Sequence, residues 1–470
     1  MVGITAYGAY IPWNRLNRKA VFGAMGWFNP ATAAYAKGEK AVAGYDEDSL
    51  TMAVAAGMDC LNGARGKELT KGAAGDLSCG ETESTGAIAK GVNGLYLAST
   101  TLPYQERQNA GIAAAAVGLP DEVRAADFTG SLKAGTSAML AACEAVQGGD
   151  MSGILVCAAD CRPGKAGGMQ EQVFGDGAVA FLLGKDDVIA ELEGSYSLTR
   201  DFVDHRRARE DKYDRAWEDR WIRDEGYAKV LPEVIAGLLK KYNLEIRDFA
   251  KIIYPCHYDK VHAVIGRKLG AEPGQIQDNM IATVGDTGAA HPMLMLAAAL
   301  EEAQTGDRLL VAGYGNGADA LVFRVTGEIE KFRKGKNSPG TGDYLGVKGY
   351  LARRRELTSY EKFAAFHNMI PVETGIRGED VPSTAFSVLW RDRKTVLGLE
   401  GSRCKRCGTP QYPPQRVCVN PDCGATDEME AYSFAGRKGY IFTYTADNLA
   451  YSSEPPAVYG IVEFEGGGRF

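Results

Sequence analysis

Long apolar runs are missing from this chain. The longest are Ala-rich and interrupted by glycine, and none approaches the about 20 residues that a bilayer-spanning helix needs. The sequence therefore predicts no membrane span. Its opening, MVGITAYGAYIPWNRLNR, has no basic leader followed by an apolar core, which argues against a secretory signal. Basic runs are also missing, and with a net charge of −7 the chain is not expected to bind nucleic acid. Cysteine is sparse: ten in 470 residues make no disulfide framework, and four of the ten crowd into one short segment. The other six are scattered among small and apolar residues, as suits a reducing cytoplasm, the expected location. Histidine is scarcer still, at five residues, so an imidazole in a chemical setting carries weight.

The crowded segment reads GSRCKRCGTPQYPPQRVCVNPDCG. Cys404 and Cys407 form one pair, Cys418 and Cys423 the other, each followed by a turn glycine, Gly408 and Gly424. Four thiolates suit tetrahedral zinc and leave no position open for water, so the expected role is structural. A redox pair or a rubredoxin-type iron site are the competing readings; the spacing is not that of an iron–sulfur cluster. Beyond it, YSFAGRKGYIFTYTADNLA and PPAVYGIVEFEGGGRF alternate apolar and polar residues between glycine turns, which predicts strands. Ahead of it, SYEKFAAFHNMIP has the helical spacing of Phe363, Phe366 and Met369. Helix, ribbon and strands together, with CGTPQYPPQRVC between the pairs, resemble the DUF35 family, which joins a rubredoxin-like ribbon to an OB-fold. That resemblance implies a zinc ribbon over 399–426 and a barrel over 427–470, abbreviated at Phe470, with a helical lead-in over 358–398.

Residues 1–330 alternate Gly-bounded apolar strands with Ala-rich helices, an α/β pattern. FGDGAVAFLLG at 174–184 is echoed by YGNGADALVFRV at 314–325, each after an apolar strand, which suggests two related halves. Together with GITAYGAYIPWNRLNR, DEDSLTMAVAAG and LLVAGYGNG, these motifs resemble the 3-hydroxy-3-methylglutaryl-CoA synthase branch of the thiolase superfamily. The resemblance implies a five-layer αβαβα domain over 1–330, a homodimer and an acyl-CoA thioester as ligand. Coenzyme A would enter as part of the substrate, and a separate thiolase subunit is a further partner it allows. The basic, Gly/Pro-rich stretch at the head of 331–357 reads as a linker.

The same resemblance places a nucleophilic cysteine where ADFTGSLKAGTSAMLAACEAV has Leu132. Leucine cannot attack a thioester, and Cys143 lies further along the helix. The family's general-base glutamate would fall in GLYLASTTLPYQERQNAG, which offers Ser99, Thr100 and Thr101, with Glu106 as the nearest carboxylate. The family histidine matches His257, after the apolar strand of KIIYPCHYDKVHAVIGRKLG. In MIATVGDTGAAHPMLMLAAALEEA, Asp286 takes the place of an asparagine and His291 follows. Asp286 either orients His257 or caps the next helix. His257, Asp286 and His291 are thus the candidate catalytic residues. Leu132, Thr100 and the turn Gly315, Asn316 and Gly317 are candidates for substrate contact. The charged insert 199–231 reads as a solvated face or, through Trp217, Trp221 and Tyr227, as an acyl-pocket wall.

Several functions stay open. The chain makes or cleaves a C–C bond in a CoA thioester without an acyl-cysteine, by aldol, retro-aldol or Claisen chemistry. Alternatively it is an acyl-CoA-binding subunit of a complex whose partner supplies the cysteine, or an ordinary condensing synthase. A non-enzymatic scaffold is the remaining reading.

Overall fold

The computed structural model describes residues 1–72, 91–335, 344–375 and 384–470; Cys79 and the Gly/Pro-rich part of the expected linker lie outside them. Two compact units result. The larger has as described residues 1–72, 92–113, 124–335 and 344–369.

Its centre is a nine-stranded sheet in which one strand plan occurs twice. In the first half Gly3–Tyr10 pairs antiparallel with Gly177–Gly184, which pairs antiparallel with Gly153–Asp160, which pairs parallel with Gly94–Ala98. In the second, Ala190–Thr199 pairs antiparallel with Gly317–Val325, that with Arg308–Tyr314, and that in parallel with Lys251–Ile253. Gly3 and Ile4 meet Glu191 and Ala190 to join the halves, and Arg124–Phe128 adds an edge to the first. The central strands are buried on both faces, hence their continuous apolar sequences.

Helices supply the other layers. Ser49–Gly72 covers the first half and Ala228–Tyr242 the second. Ala134–Gly148 and His291–Glu302 pack against each other between layers. The latter is apolar almost all round because it is buried almost all round. Gly135 permits the approach: a Cβ there would lie 2.5 Å from both the Ala289 carbonyl oxygen and Met293 Sδ. This is the layered α/β architecture that the sequence implied.

The boundary at 330 moves. The segment 331–357, expected as a linker, instead carries the end of helix Glu328–Gly335, helix Gly346–Ala352 and strand Arg355–Leu357. That strand pairs with Asn14–Leu16, and Leu357 and Phe363 close a small core with Leu16, Val21 and Val42. Buried Val347, Tyr350 and Leu357 make the segment part of the large unit; its linker-like composition is confined to residues that are not described.

The smaller unit includes 114–123, 370–375 and 384–470. Helix Phe386–Gly398 is tied to Asp121 by Arg393, and leads into a three-stranded sheet of Glu400–Cys404, Pro410–Gln411 and Met429–Ser433. The ribbon therefore extends past 426. No closed barrel forms among the described residues: Gly439–Asp447 and Ala457–Phe464 pair as a hairpin, and Glu463 also bridges Arg469. Tyr440, Ile441, Phe442, Tyr444, Val458 and Tyr459 are exposed on it. Among the described residues no helix is long and apolar enough to cross a membrane.

Candidate active site and zinc ribbon

Strand ends and the loops after them bring the site together in the large unit. Leu132 is buried in the elbow between strand Arg124–Phe128 and helix Ala134–Gly148. His257 stands in the loop between strand Lys251–Ile253 and helix Asp259–Lys268. Both line one pocket, with Arg162, Phe174, Tyr227 and Asp214 among its other walls.

Asp286 reaches His257 as one of the two expected readings required. Its Oδ2 lies 3.3 Å from His257 Nδ1 and 3.6 Å from Arg162 Nη1. The capping reading holds in part too: Oδ1 accepts from the Gly288 amide at 2.9 Å, closing the turn ahead of helix His291–Glu302. Burial opposes charge on Asp286, yet the hydrogen bond from His257 and the Arg162 guanidinium hold its carboxyl well below the usual carboxylate range. A carboxylate on Nδ1 fixes the proton there and leaves the lone pair on Nε2. Nε2 is buried and has no hydrogen-bond partner. The ring is boxed by Tyr258 and by the edge of Tyr227, whose hydroxyl is 3.5 Å from Nδ1. Burial and the Asp286 charge push the Tyr227 phenol well up, so it stays protonated.

His291 is not brought to the pocket. Its Nε2 donates to the Asn279 carbonyl at 2.9 Å, and its Nδ1 accepts from the Thr287 amide at 3.3 Å. Burial pushes its pKa down, so it is a neutral brace under the Asp286 turn. Thr100 sits in the loop that Asp160 gathers: this buried carboxylate accepts from Ser99 Oγ, Thr100 N and Oγ1, Thr101 Oγ1 and the Ala289 amide, at 2.7–3.0 Å. Glu106 is exposed in a loop. The turn Gly315–Asn316–Gly317 lies against the Leu132 elbow. Ser131 Oγ donates to the Gly315 carbonyl at 2.8 Å, and a Cβ on Gly315 would meet the Leu132 amide nitrogen at 2.7 Å.

Sequence reasoning missed the charged wall. Arg162 donates through Nε and Nη2 to Asp214 Oδ2, at 3.0 and 2.8 Å, and its guanidinium lies 3.8 Å over the Phe174 ring. Arg207 holds the other Asp214 oxygen at 2.8 Å. Part of the insert expected as a solvated face is thus buried ion pairing; the signal was an aspartate amid arginines opposite the lone Arg162. Of the three aromatics weighed there, Trp217 is exposed, Trp221 stacks on Phe202, and only Tyr227 reaches the pocket. A π-helical turn, Ile222–Tyr227, is the reason: with more than four residues per turn, Ile222 and Tyr227 fall on one side and both line the cavity.

In the smaller unit the four ribbon cysteines converge as expected. Their sulfurs lie within 4.8 Å of one another, with Cys404–Cys423 at 3.8 Å and Cys407–Cys418 at 3.5 Å. A zinc ion with Zn–S bonds of about 2.3 Å separates its sulfurs by about 3.8 Å, so the tetrad fits the ion with little movement. The ion, when bound, contributes cross-linking alone, since four thiolates leave no open position.

A doubled strand plan with two buried helices between layers, and a pocket at the elbow of the first, defines a thiolase-like protein. Solved structures share that fold: one of HMG-CoA synthase complexed with CoA (19% identity, 80% of this chain and 92% of that one, TM-score 0.62), and one of 3-oxoacyl-[acyl-carrier-protein] synthase III from Aquifex aeolicus VF5 (17% identity, 69% and 100%, TM-score 0.54). The hydroxymethylglutaryl-CoA synthase of Methanopyrus kandleri is 30% identical over 354 residues, 74% of this chain and 94% of that protein. The chain belongs to the hydroxymethylglutaryl-CoA synthase family. Residues 392–430 match the ChsH2 rubredoxin-like zinc ribbon domain, so the family's domain is here followed by a ribbon.

Proposed function

We propose that the chain binds an acyl-CoA thioester in the pocket walled by Leu132, Arg162, Tyr227 and His257, and makes or breaks a C–C bond there without an acyl-cysteine. The observation that carries this reading is the orphan Nε2 of His257, backed by Asp286 and facing a pocket lined by Leu132, the residue that the resemblance puts at the nucleophile's place. Among the described residues no cysteine lines that pocket; Cys143 is buried within its helix.

In the cleavage direction His257 Nε2 takes the β-hydroxyl proton of a β-hydroxyacyl-CoA. The Cα–Cβ electrons pass to the thioester as an enolate, a carbonyl compound leaves, and the proton taken by His257 returns to Cα of the shortened acyl-CoA. The enolate oxygen needs a donor. Arg162 Nη1, buried without a hydrogen bond in the chain, supplies an N–H on the same wall. The reverse sequence is an aldol condensation, the bond-forming direction. Zinc in the ribbon takes no part. The unpaired side of edge strand Arg124–Phe128, half-buried along most of its length, supports a homodimer.

The test is purified full-length chain with a series of β-hydroxyacyl-CoA thioesters, followed by mass spectrometry of small products and of the intact protein. Cleavage by the parent, no acyl adduct, and a loss of about 10²-fold or more in His257→Ala are expected. Undiminished turnover in His257→Ala overturns the assignment, and an acyl-enzyme in the parent overturns the cysteine-free route. A second reading, an acyl-CoA-binding subunit whose partner brings the cysteine, rests on Leu132 as well. Turnover appearing only with an added thiolase would favour it.

A further inference from the structure

Three side chains with metal-binding atoms meet in the large unit at a place the proposed reaction does not use. Cys161 follows strand Gly153–Asp160, Asp176 ends the same loop, and His367 closes helix Tyr360–Phe366. His367 Nε2 lies 2.9 Å from Asp176 Oδ2 and 3.7 Å from Cys161 Sγ, and all three ligand atoms fall within 4.8 Å of one another. Asp176 is buried, and the His367 side chain is only 8% exposed.

The fourth atom in the argument is the Phe363 carbonyl oxygen, 3.2 Å from His367 Nδ1. A carbonyl only accepts, so Nδ1 carries a hydrogen. The Cys161 thiol can donate to Asp176, but in the neutral ring Nε2 then presents a lone pair to the Asp176 carboxylate at 2.9 Å, two acceptors in contact. Either a second proton or a cation resolves this. A proton on Nε2 settles the His367–Asp176 contact; a metal ion that displaces the thiol hydrogen engages all three side chains. A nucleophile relay is a poor fit, because it needs carboxylate and thiol on opposite ring nitrogens, and here both face Nε2. Lys40 does not occupy the triangle: its ammonium donates to the Glu171 carbonyl at 2.7 Å.

The distances suit a small ion. With bonds of about 2.3 Å to sulfur and 2.0–2.2 Å to nitrogen and oxygen, tetrahedral zinc keeps its ligand atoms roughly 3.3–3.7 Å apart. A mixed S, N, O set selects zinc-class ions over magnesium or calcium. The backbone carbonyl on the distal nitrogen is the usual device for holding a ligating imidazole in place.

We propose that Cys161, Asp176 and His367 form a second zinc site, with three protein ligands and a fourth position left to water or an exogenous donor. It would pin helix Tyr360–Phe366 to the loop 161–176, which supplies Arg162, Met169, Gln170 and Phe174 to the pocket. Its role is to position that loop.

Titration of metal-free full-length chain with Co2+ tests this, because thiolate-to-cobalt absorption reports both sites and distinguishes four sulfurs from one. Two saturating equivalents per chain are expected in the parent. One is expected in Cys161→Ala and in His367→Gln, with the ribbon's four-sulfur spectrum unchanged. Replacing Cys404 and Cys407 by serine should remove that spectrum and leave the one-sulfur band. A single equivalent in the parent overturns the proposal, whatever the variants do; so does retention of two in both Cys161→Ala and His367→Gln. Neither outcome depends on catalytic turnover, so failure here is separable from failure of the proposed reaction.

Discussion

At the scale of single residues, Asp286 and His291 look alike in sequence and differ in what their neighbours leave free. Asp286 Oδ2 faces His257, so Asp286→Asn should free the imidazole to adopt the wrong tautomer. The expected loss is about 10²-fold or more in kcat, with KM little changed, read by steady-state kinetics. His291 has both nitrogens engaged and a depressed folded-state pKa. The unfolded chain therefore takes up the His291 proton first as pH falls below its ordinary value of 6.5. Stability from this residue is intact above that value and is lost progressively on acidification below it. Urea denaturation between pH 7 and 5 should show a shallower decline in His291→Gln than in the parent, from a lower starting stability.

At the scale of elements, two short turns govern the pocket. The π-helical turn Ile222–Tyr227 holds one residue more than an α-helical path would. Deleting exposed Asp224 should convert it to an α-helix that keeps Ile222 and Tyr227, then four residues apart, on the side facing the pocket. Steady-state activity should hold within a few-fold, and a large loss would show that the π turn itself shapes the pocket. The turn Gly315–Gly317 is less forgiving. A Cβ on Gly315 collides with backbone at the Leu132 elbow, so Gly315→Ala should destabilise by about 2 kcal/mol or more in chemical denaturation.

The same elements show what could be read in advance. The contact of His257 with Asp286 was legible because a strand followed by a polar loop exposes its first polar residues at the strand's end. The glycine-bounded repeats were legible because turns and buried strands leave a compositional trace. Arg162 with Asp214 was not legible. Their pairing joins segments far apart in the chain, and burial turns charges that read as a surface into a wall. Tyr227 was named only among three aromatics, since a π turn breaks the helical period on which such readings depend. The linker was misplaced for a related reason: three buried side chains outweigh the glycine-rich composition beside them.

At the scale of the molecule, two units with different sources of stability share the chain. The larger rests on a core of sheet and helices, whereas the ribbon's own cluster of Cys404, Cys418 and Ala425 is small. A ribbon of that size depends on its ion. Replacing Cys404 and Cys407 by serine should therefore abolish its folding signal and leave the main calorimetric transition of the large unit in place. Loss of both together would mean that the ion supports more than the ribbon.

The doubled strand plan has one uneven detail. Between its paired strands the first half carries the loop 161–176, while the second half connects Tyr314 to Gly317 almost directly. A molecule built from two copies of one design can divide the work between them, and here the first copy carries the long loop while the second sets His257 in the pocket. The bare hairpin of the second half is thus a poor insertion point for protein engineers: it closes against the Leu132 elbow, where even a Cβ on Gly315 finds no room.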